Sequence, residues 1–275
     1  MTDAFAAWLD GLARRHLADL SFAEVRRAAQ ALSSAYVERR DRLAAKGALD
    51  SAGKRAAFAL YFAPLHFLFV RAVVAALGAA RPSPSTVLDL GCGTGAAGAA
   101  WAGEAGGRPA VEGVERSGWA VEEARATLRA LGLRGAARRG DLLRARPARR
   151  GEAVVVAYTA NELGAEARGR LLERLRADAR AGARVLVVEP LARGAAPWWD
   201  AWAAAFTAEG GRADEWRFPA ALPELLARFD RATGLDHREL RGRSLWLPSG
   251  PRGAALRRRR GPPGRAPWPA PAPRR

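Results

Sequence analysis

The 275-residue sequence predicts a doubly wound α/β fold, a mostly parallel sheet with helices on both faces behind an N-terminal helical region. Three observations predict it. After residue 85, short β-branched runs alternate with helix-length segments, the pattern of parallel strands joined by crossover helices. A glycine-rich turn, Gly91-Cys-Gly-Thr-Gly95, joins the first of those strands to the first helix. A carboxylate, Glu115, ends the second strand 20 residues after Gly95.

Residues 1 to about 80 read as helical. Ser21-Phe-Ala-Glu24 has the capping-box spacing, in which the serine satisfies one free N–H of the first turn and the glutamate another. It opens a helix expected to run to about Ala45. A second helix is expected after Asp50-Ser51, and a third begins around Pro64, whose missing N–H costs nothing in a first turn. Leu65 to Leu77 is apolar on nearly every face, which predicts burial between the helical region and the main domain. Arg81-Pro-Ser-Pro-Ser85 reads as a linker.

The strands are expected at Thr86–Asp89, Val111–Glu115, Ala137–Asp141, Ala153–Ala157 and Arg184–Glu189. Helices are expected over Ala96–Ala102, Trp119–Leu131 and a stretch that repeats Ala167, Leu171, Leu175 and Ala179 on one face. A Trp-rich helix, a strand around Trp216–Phe218, a helix over Pro223–Thr233 and a strand over Arg243–Leu247 follow. The expected divisions are a helical region at 1–80, the α/β domain at 81–248 and a Pro- and Arg-rich tail at 249–275 that should be disordered.

The formal net charge is +17. Eight arginines and no acid fall in the last 27 residues, and the remainder holds 37 basic against 28 acidic residues, or +9. That surplus suits a polyanionic partner such as RNA, and equally a biased composition on a solvated surface. Cys92 is the only cysteine, which excludes an internal disulfide and any cysteine-held metal centre. No secretory signal is seen, and the longest uncharged apolar run, Ala56 to Val70, is interrupted by Pro64 and His66, so a soluble cytoplasmic protein without membrane attachment is expected.

The glycines let the backbone turn sharply and approach a ligand. Their spacing also satisfies the looser dinucleotide fingerprint. Asp89 separates the alternatives: a carboxylate beside the loop repels a pyrophosphate and attracts a cationic ligand. Glu115 is placed to accept hydrogen bonds from both hydroxyls of a ribose. Cys92 is expected to fill the loop rather than act as a nucleophile.

Val87-Leu-Asp-Leu-Gly-Cys-Gly-Thr-Gly95 resembles motif I of class I S-adenosylmethionine (SAM)-dependent methyltransferases. Val114-Glu115, Gly140-Asp141-Leu142 and Ala153 to Leu163 resemble their ribose, adenine and fourth-strand motifs. The resemblance implies a Rossmann-like sheet of seven mostly parallel strands, with SAM as cofactor. It implies that Asp89, Gly91, Cys92, Gly93 and Gly95 hold the methionine part, Glu115 the ribose, and Asp141 with the Leu142 backbone the adenine edge. A narrower resemblance is to the bacterial and mitochondrial ribosomal small-subunit methyltransferase-like family. It rests on Leu32-Ser-Ser-Ala-Tyr36, Ala59-Leu-Tyr-Phe-Ala-Pro64, Tyr158-Thr-Ala-Asn-Glu-Leu163 and Val188-Glu-Pro190. It implies ribosomal RNA or the small ribosomal subunit as partner; the additional cysteines that many members carry are absent here.

On the acceptor side, Tyr158, Asn161 and Glu162 follow the fourth strand, where ligands sit in such sheets, and are the candidate catalytic residues. Tyr158 can stack on a base or pack on the next helix, and Asn161 can accept from an amino group or cap that helix. Trp198, Trp199 and Trp202 either wall the acceptor pocket or form the apolar face of a helix. Arg257-Arg-Arg-Arg260 either binds phosphates or is simply solvated. His16, His66 and His237 are expected to be structural or surface residues. Three functions remain in view: a methyltransferase acting on RNA or a ribosome-associated target, a small-molecule methyltransferase, and a non-catalytic SAM-binding assembly factor.

Overall fold

The computed structural model of the chain describes residues 2–38, 49–191, 196–235 and 237–249. One sheet contains β1 (Thr86–Leu90), β2 (Ala110–Glu115), β3 (Gly135–Arg139), β4 (Ala153–Ala157), β5 (Arg184–Glu189), β6 (Arg212–Pro219) and β7 (Glu239–Leu247). Their order is β3-β2-β1-β4-β5-β7-β6. The first five pair in parallel, while β7 runs antiparallel to both β5 and β6. The order reverses between β1 and β4, so the switch point where open α/β sheets bind ligands lies at their carboxyl ends.

The central strands are buried on both faces, and their alternation assigns each side chain to one of two cores. Val87, Val155, Leu186 and Val188 face one core. Leu88, Leu90, Val154, Val156, Val185 and Val187 face the other. The second core is closed by α6 (Ala165–Arg180) through Leu171 and Leu175, and by α7 (Trp199–Ala208) through Trp199, Trp202 and Phe206.

The first core contains the N-terminal helices as well as the sheet. α1 (Thr2–His16) sets Phe5 and Trp8 against Phe67, with ring centroids 5.1 and 5.5 Å apart. α2 (Phe22–Glu38) opens on the expected capping box: Ser21 N–H donates to Glu24 Oε2 at 2.8 Å, and Glu24 N–H to Ser21 Oγ at 3.3 Å. Its expected continuation to Ala45 lies outside the described residues, as does the tail from 250 onward.

α3 (Ala52–Ala76) corrects the expectation of two helices divided at Pro64. Ser51 caps it, accepting from Lys54 N–H, and it runs unbroken through Pro64. Proline cannot donate and crowds the carbonyl of the preceding turn. Here that turn, Phe58–Phe62, is a wider π turn in which Ala63 N–H bonds to Phe58 O, so the helix absorbs the proline without ending. At 25 residues α3 has the length and mean hydropathy to cross a membrane, contrary to the reading of its interrupted apolar run. Phe67, Val70, Val73 and Val74 instead bury it in the first core, where it packs along α4 (Ala96–Glu104).

Three strands also differ from expectation. β3 spans Gly135–Arg139 rather than Ala137–Asp141, because Asp141 caps a short 3₁₀ turn at Leu142–Arg144. β6 and β7 are longer than their apolar centres suggested, since the two pair over eight positions from Arg212↔Trp246 to Pro219↔Glu239. α5 (Gly118–Ala130) and α8 (Glu224–Thr233) complete the fold.

Candidate functional site

A cavity of about 760 Å³ opens at the carboxyl ends of β1, β2, β4 and β5. Its two halves differ in chemistry. One is the glycine turn with Asp89, Glu115 and Leu142; the other is lined by the rings of Phe58, Tyr61, Phe62, His66, Phe69 and Tyr158.

The turn is built by backbone bonds: Gly91 and Cys92 N–H groups donate to Val114 O, and Gly95 N–H to Cys92 O. Gly91 has φ +74°, and a Cβ there would lie 2.3 Å from Thr159 Cγ2. Its lack of a side chain lets Thr159 Oγ1 donate to Gly91 O at 3.0 Å, tying the turn to the end of β4. Gly93 has φ +51°, and nothing lies within 4 Å of where its Cβ would be, so this backbone faces open space. Cys92 is buried against Val121, Ala124 and Ala137, and burial pushes its thiol well above the usual range, so it fills space rather than supplying a thiolate.

Asp89 is almost fully buried. Its Oδ2 accepts Gly98 N–H at 2.8 Å, while Oδ1 has no hydrogen-bond partner among the described residues. Burial raises its carboxyl to about 7; the Gly98 N–H opposes that shift and the Glu115 carboxylate adds to it. Thr94 Oγ1, buried in the same turn, likewise has no partner among the described residues. Glu115 is half-buried and accepts Gly93 N–H at 3.2 Å and Ser117 N–H at 2.8 Å, which leaves acceptor capacity on both oxygens. Leu142 and Gly140 line the cavity beside it. Asp141 is exposed, and its carboxylate caps the 3₁₀ turn through Leu143 N–H at 2.9 Å.

The candidate catalytic residues all reach the cavity but play unlike parts. Tyr158 stands at the end of β4 with φ +58°, and His66 of α3 stacks on its ring. Asn161 lies in a 3₁₀ turn, Ala160–Glu162, and does not cap α6, whose first turn follows Gly164. Its Nδ2 donates to Glu189 Oε2 at 2.5 Å, and its Oδ1 accepts Trp198 Nε1 at 3.0 Å. Glu162 is exposed at the mouth, where the cavity walls and the Glu115 carboxylate raise its carboxyl to about 7 against the pull of Arg116, an effect that solvent at the mouth partly screens. Trp199 and Trp202 are buried in the second core, and Trp198 packs against both rings while its indole N–H donates to Asn161, so the three form a packing face and do not line the cavity.

Three participants lie outside the candidate site residues. Thr159 clamps the glycine turn. Glu189, fully buried at the end of β5, orders the 3₁₀ turn through Ala160 N–H and Asn161. An acid closing an otherwise apolar central strand was the available hint for Glu189. His66 walls the aromatic half, and burial pushes its imidazole down to about 3, so the ring is neutral.

The orphaned Asp89 and Thr94 oxygens, the open backbone at Gly93 and the carboxylates around them fit a cationic, phosphate-free adenosine compound such as SAM. A phosphate placed among Asp89, Glu115 and Glu162 would be repelled.

Residues 87–182 match a family described as "Methyltransferase domain". Comparison with curated protein sequences gives no match. Among solved structures, the mitomycin 7-O-methyltransferase MmcR is similar with a TM-score of 0.50 at 16% identity, covering 90% of this chain and 75% of that one. A putative O-methyltransferase from Nostoc punctiforme PCC 73102 has a TM-score of 0.50 at 14% identity, covering 78% and 69%. The plantazolicin methyltransferase BpumL, solved with SAH, has a TM-score of 0.46 at 12% identity, covering 82% and 96%. With the strand order above and the glycine turn at its switch point, residues 87–182 are a class I SAM-dependent methyltransferase domain.

Proposed function

We propose that this chain transfers the methyl group of SAM to a small, flat, largely apolar acceptor. The observation that carries this reading is the continuity of one cavity from the glycine turn to a half walled by aromatic rings. Apolar pockets with few polar groups suit small ligands. SAM, when bound, supplies a methyl group on a positively charged sulfur, which an incoming nucleophile can displace in line. The chain's own residues align and shield. Gly93 gives the backbone room for the ligand, Asp89 offers a negative charge near the turn, and Glu115 offers acceptors for a ribose. Leu142 closes the adenine side, while Tyr158 and His66 form the wall against which an acceptor ring would lie. Holding the reactants together and excluding water supplies most of what such a displacement needs.

A second reading has support of a different kind. The net charge of +17, and Arg55, Arg116 and Arg241 around the cavity, favour a polyanion such as ribosomal RNA or a ribosome-associated target. One experiment separates the readings: cell extract is incubated with the purified protein and isotopically labelled SAM, then divided into metabolite, RNA and protein fractions. Label among metabolites is expected. Label confined to RNA would replace the first reading with the second. SAM binding without transfer to any fraction would make the chain a non-catalytic SAM-binding factor.

A further inference from the structure

Beyond the glycine turn, Tyr61 and His237 reach the same cavity from two distant parts of the chain and meet on the buried carboxylate of Asp230. Asp230, near the end of α8, is only 5% exposed in its side chain. Its Oδ1 accepts the Tyr61 hydroxyl of α3 at 2.5 Å and also meets His237 Nδ1. Its Oδ2 accepts the backbone N–H of His237 at 2.5 Å. The carboxylate therefore holds the histidine by both backbone and ring. Tyr61 and His237 both line the aromatic half of the cavity.

A carboxylate at Nδ1 selects the tautomer with the proton on that nitrogen and leaves Nε2 a bare acceptor. The His237 side chain is 31% exposed, and no described residue hydrogen-bonds its Nε2. An imidazole that gains a proton there stays balanced by the buried Asp230 charge, the logic by which an aspartate supports a histidine base elsewhere. Tyr61, fully buried, donates to the same carboxylate and fixes it in place.

We propose that His237, oriented by Asp230, is the general base that takes the proton from a hydroxyl on an aromatic acceptor bound between it and the glycine turn. This rests on the small-acceptor reading above and narrows it to hydroxyl acceptors. A nucleophile that must first lose a proton needs a base, whereas a carboxylate or a neutral amine does not. In the step, Nε2 takes the hydroxyl proton as the acceptor oxygen bonds to the methyl carbon. The carbon–sulfur bond breaks with its electron pair going to sulfur, which leaves the neutral thioether, and the proton then passes from Nε2 to solvent. Asp230 is a positioning residue and His237 the catalytic one.

The test needs no SAM, so it fails separately from the cofactor reading, which calorimetry with SAM checks. A nitrophenol whose neutral and ionised forms absorb differently is titrated into the protein. Wild type is expected to bind it as the phenolate, with the proton on His237. In His237→Gln the ionised fraction of bound phenol should fall at least tenfold, with a smaller fall in Asp230→Asn. Arg241→Gln controls for simple attraction of a phenolate by a nearby cation, and should keep the ionised fraction within about twofold. Nitrogen-15 spectra of the wild-type histidines serve if a variant misfolds: Nδ1 of His237 should carry the proton in the free protein, and Nε2 should gain one when the phenol binds. The proposal is overturned if the phenol does not bind at millimolar concentration, binds neutral, or is equally ionised in His237→Gln. A free protein with Nε2 protonated instead would also overturn it.

Discussion

The imidazole of His66 lies flat on the ring of Tyr158, with centroids 3.7 Å apart and planes 16° from parallel. Tyr158 holds a left-handed backbone conformation at φ +58°, which for a residue with a side chain costs about 1–3 kcal/mol. The stack and the bond from Tyr158 N–H to Val188 O at 2.8 Å hold it there. Since burial keeps His66 at about 3, the partner ring is uncharged at neutral pH, and its role is that of a flat surface. His66→Phe should keep the melting temperature within about 3 °C and nitrophenol affinity within about twofold. His66→Ala should lower both, by several degrees and about tenfold, because it removes the stack and opens a void. Thermal scans and absorbance titrations check the pair.

Asp89 makes ligand binding and stability depend on pH in opposite senses. Its folded carboxyl sits near 7 against 3.8 for the free group. The protonated form is therefore favoured by folding, and the ligand-free protein should lose stability as pH rises from about 4 to about 7, at about 1.4 kcal/mol per pKa unit. A cationic ligand prefers the ionised carboxylate, so SAM affinity should rise over the upper part of that range and level off above it. Asp89→Asn should flatten both profiles and weaken SAM binding at about pH 8 by tenfold or more. Glu162→Gln, run alongside, reports any share from the second raised carboxyl. Calorimetry across pH, with urea unfolding of the free protein, provides both readouts; parallel profiles for wild type and Asp89→Asn would exclude Asp89 as their source.

Asn161 links two elements that share no local sequence. It joins buried Glu189 at the end of β5 to Trp198 before α7. Asn161→Ala should cost about 1–3 kcal/mol, since Glu189 loses a donor and Trp198 an acceptor. Asn161→Asp should cost more at neutral pH, because it sets a second carboxylate against Glu189, and the excess should shrink on acidification as the pair takes up a proton. Chemical denaturation at two pH values measures both.

What the sequence made legible follows the reach of each signal. β1, β4 and β5 match the expected strands to within a residue because strands buried on both faces carry apolar runs, and β2 matches through Val111 and Val114 ahead of its closing Glu115. β3 slipped because Gly135-Ala-Ala-Arg-Arg139 is exposed at the sheet edge and lacks such a run. Pro64 reads locally as a helix start, but the π turn at Phe58–Phe62, with Ala59, Leu60 and Tyr61 buried, carries α3 through it, and a π turn has no local sequence signal. In the site, Asp89, the glycines and Glu115 were visible because strand, turn and helix are contiguous. The contacts of Tyr61 with Asp230 and His237 are not legible, because they span 169 and 176 positions and leave no spacing to read.

Gly91 and Gly93 sit two residues apart in left-handed conformations and should fail in different ways. A methyl group at Gly91 would strike Thr159 at 2.3 Å, with the Thr159 clamp as the casualty. At Gly93 it would meet nothing within 4 Å and project into the space the ligand needs. Both alanines carry the left-handed penalty of about 1–2 kcal/mol. For a chain of this size that is a drop in melting temperature of about 2–8 °C, and Gly93→Ala should lose no more than this. Gly91→Ala should lose more, through the added clash. SAM affinity should separate the pair the other way. Gly93→Ala, still folded, should bind at least tenfold more weakly. A folded Gly93→Ala protein with wild-type affinity would mean that the ligand does not approach this backbone, and the assignment of the turn to SAM would fail with it.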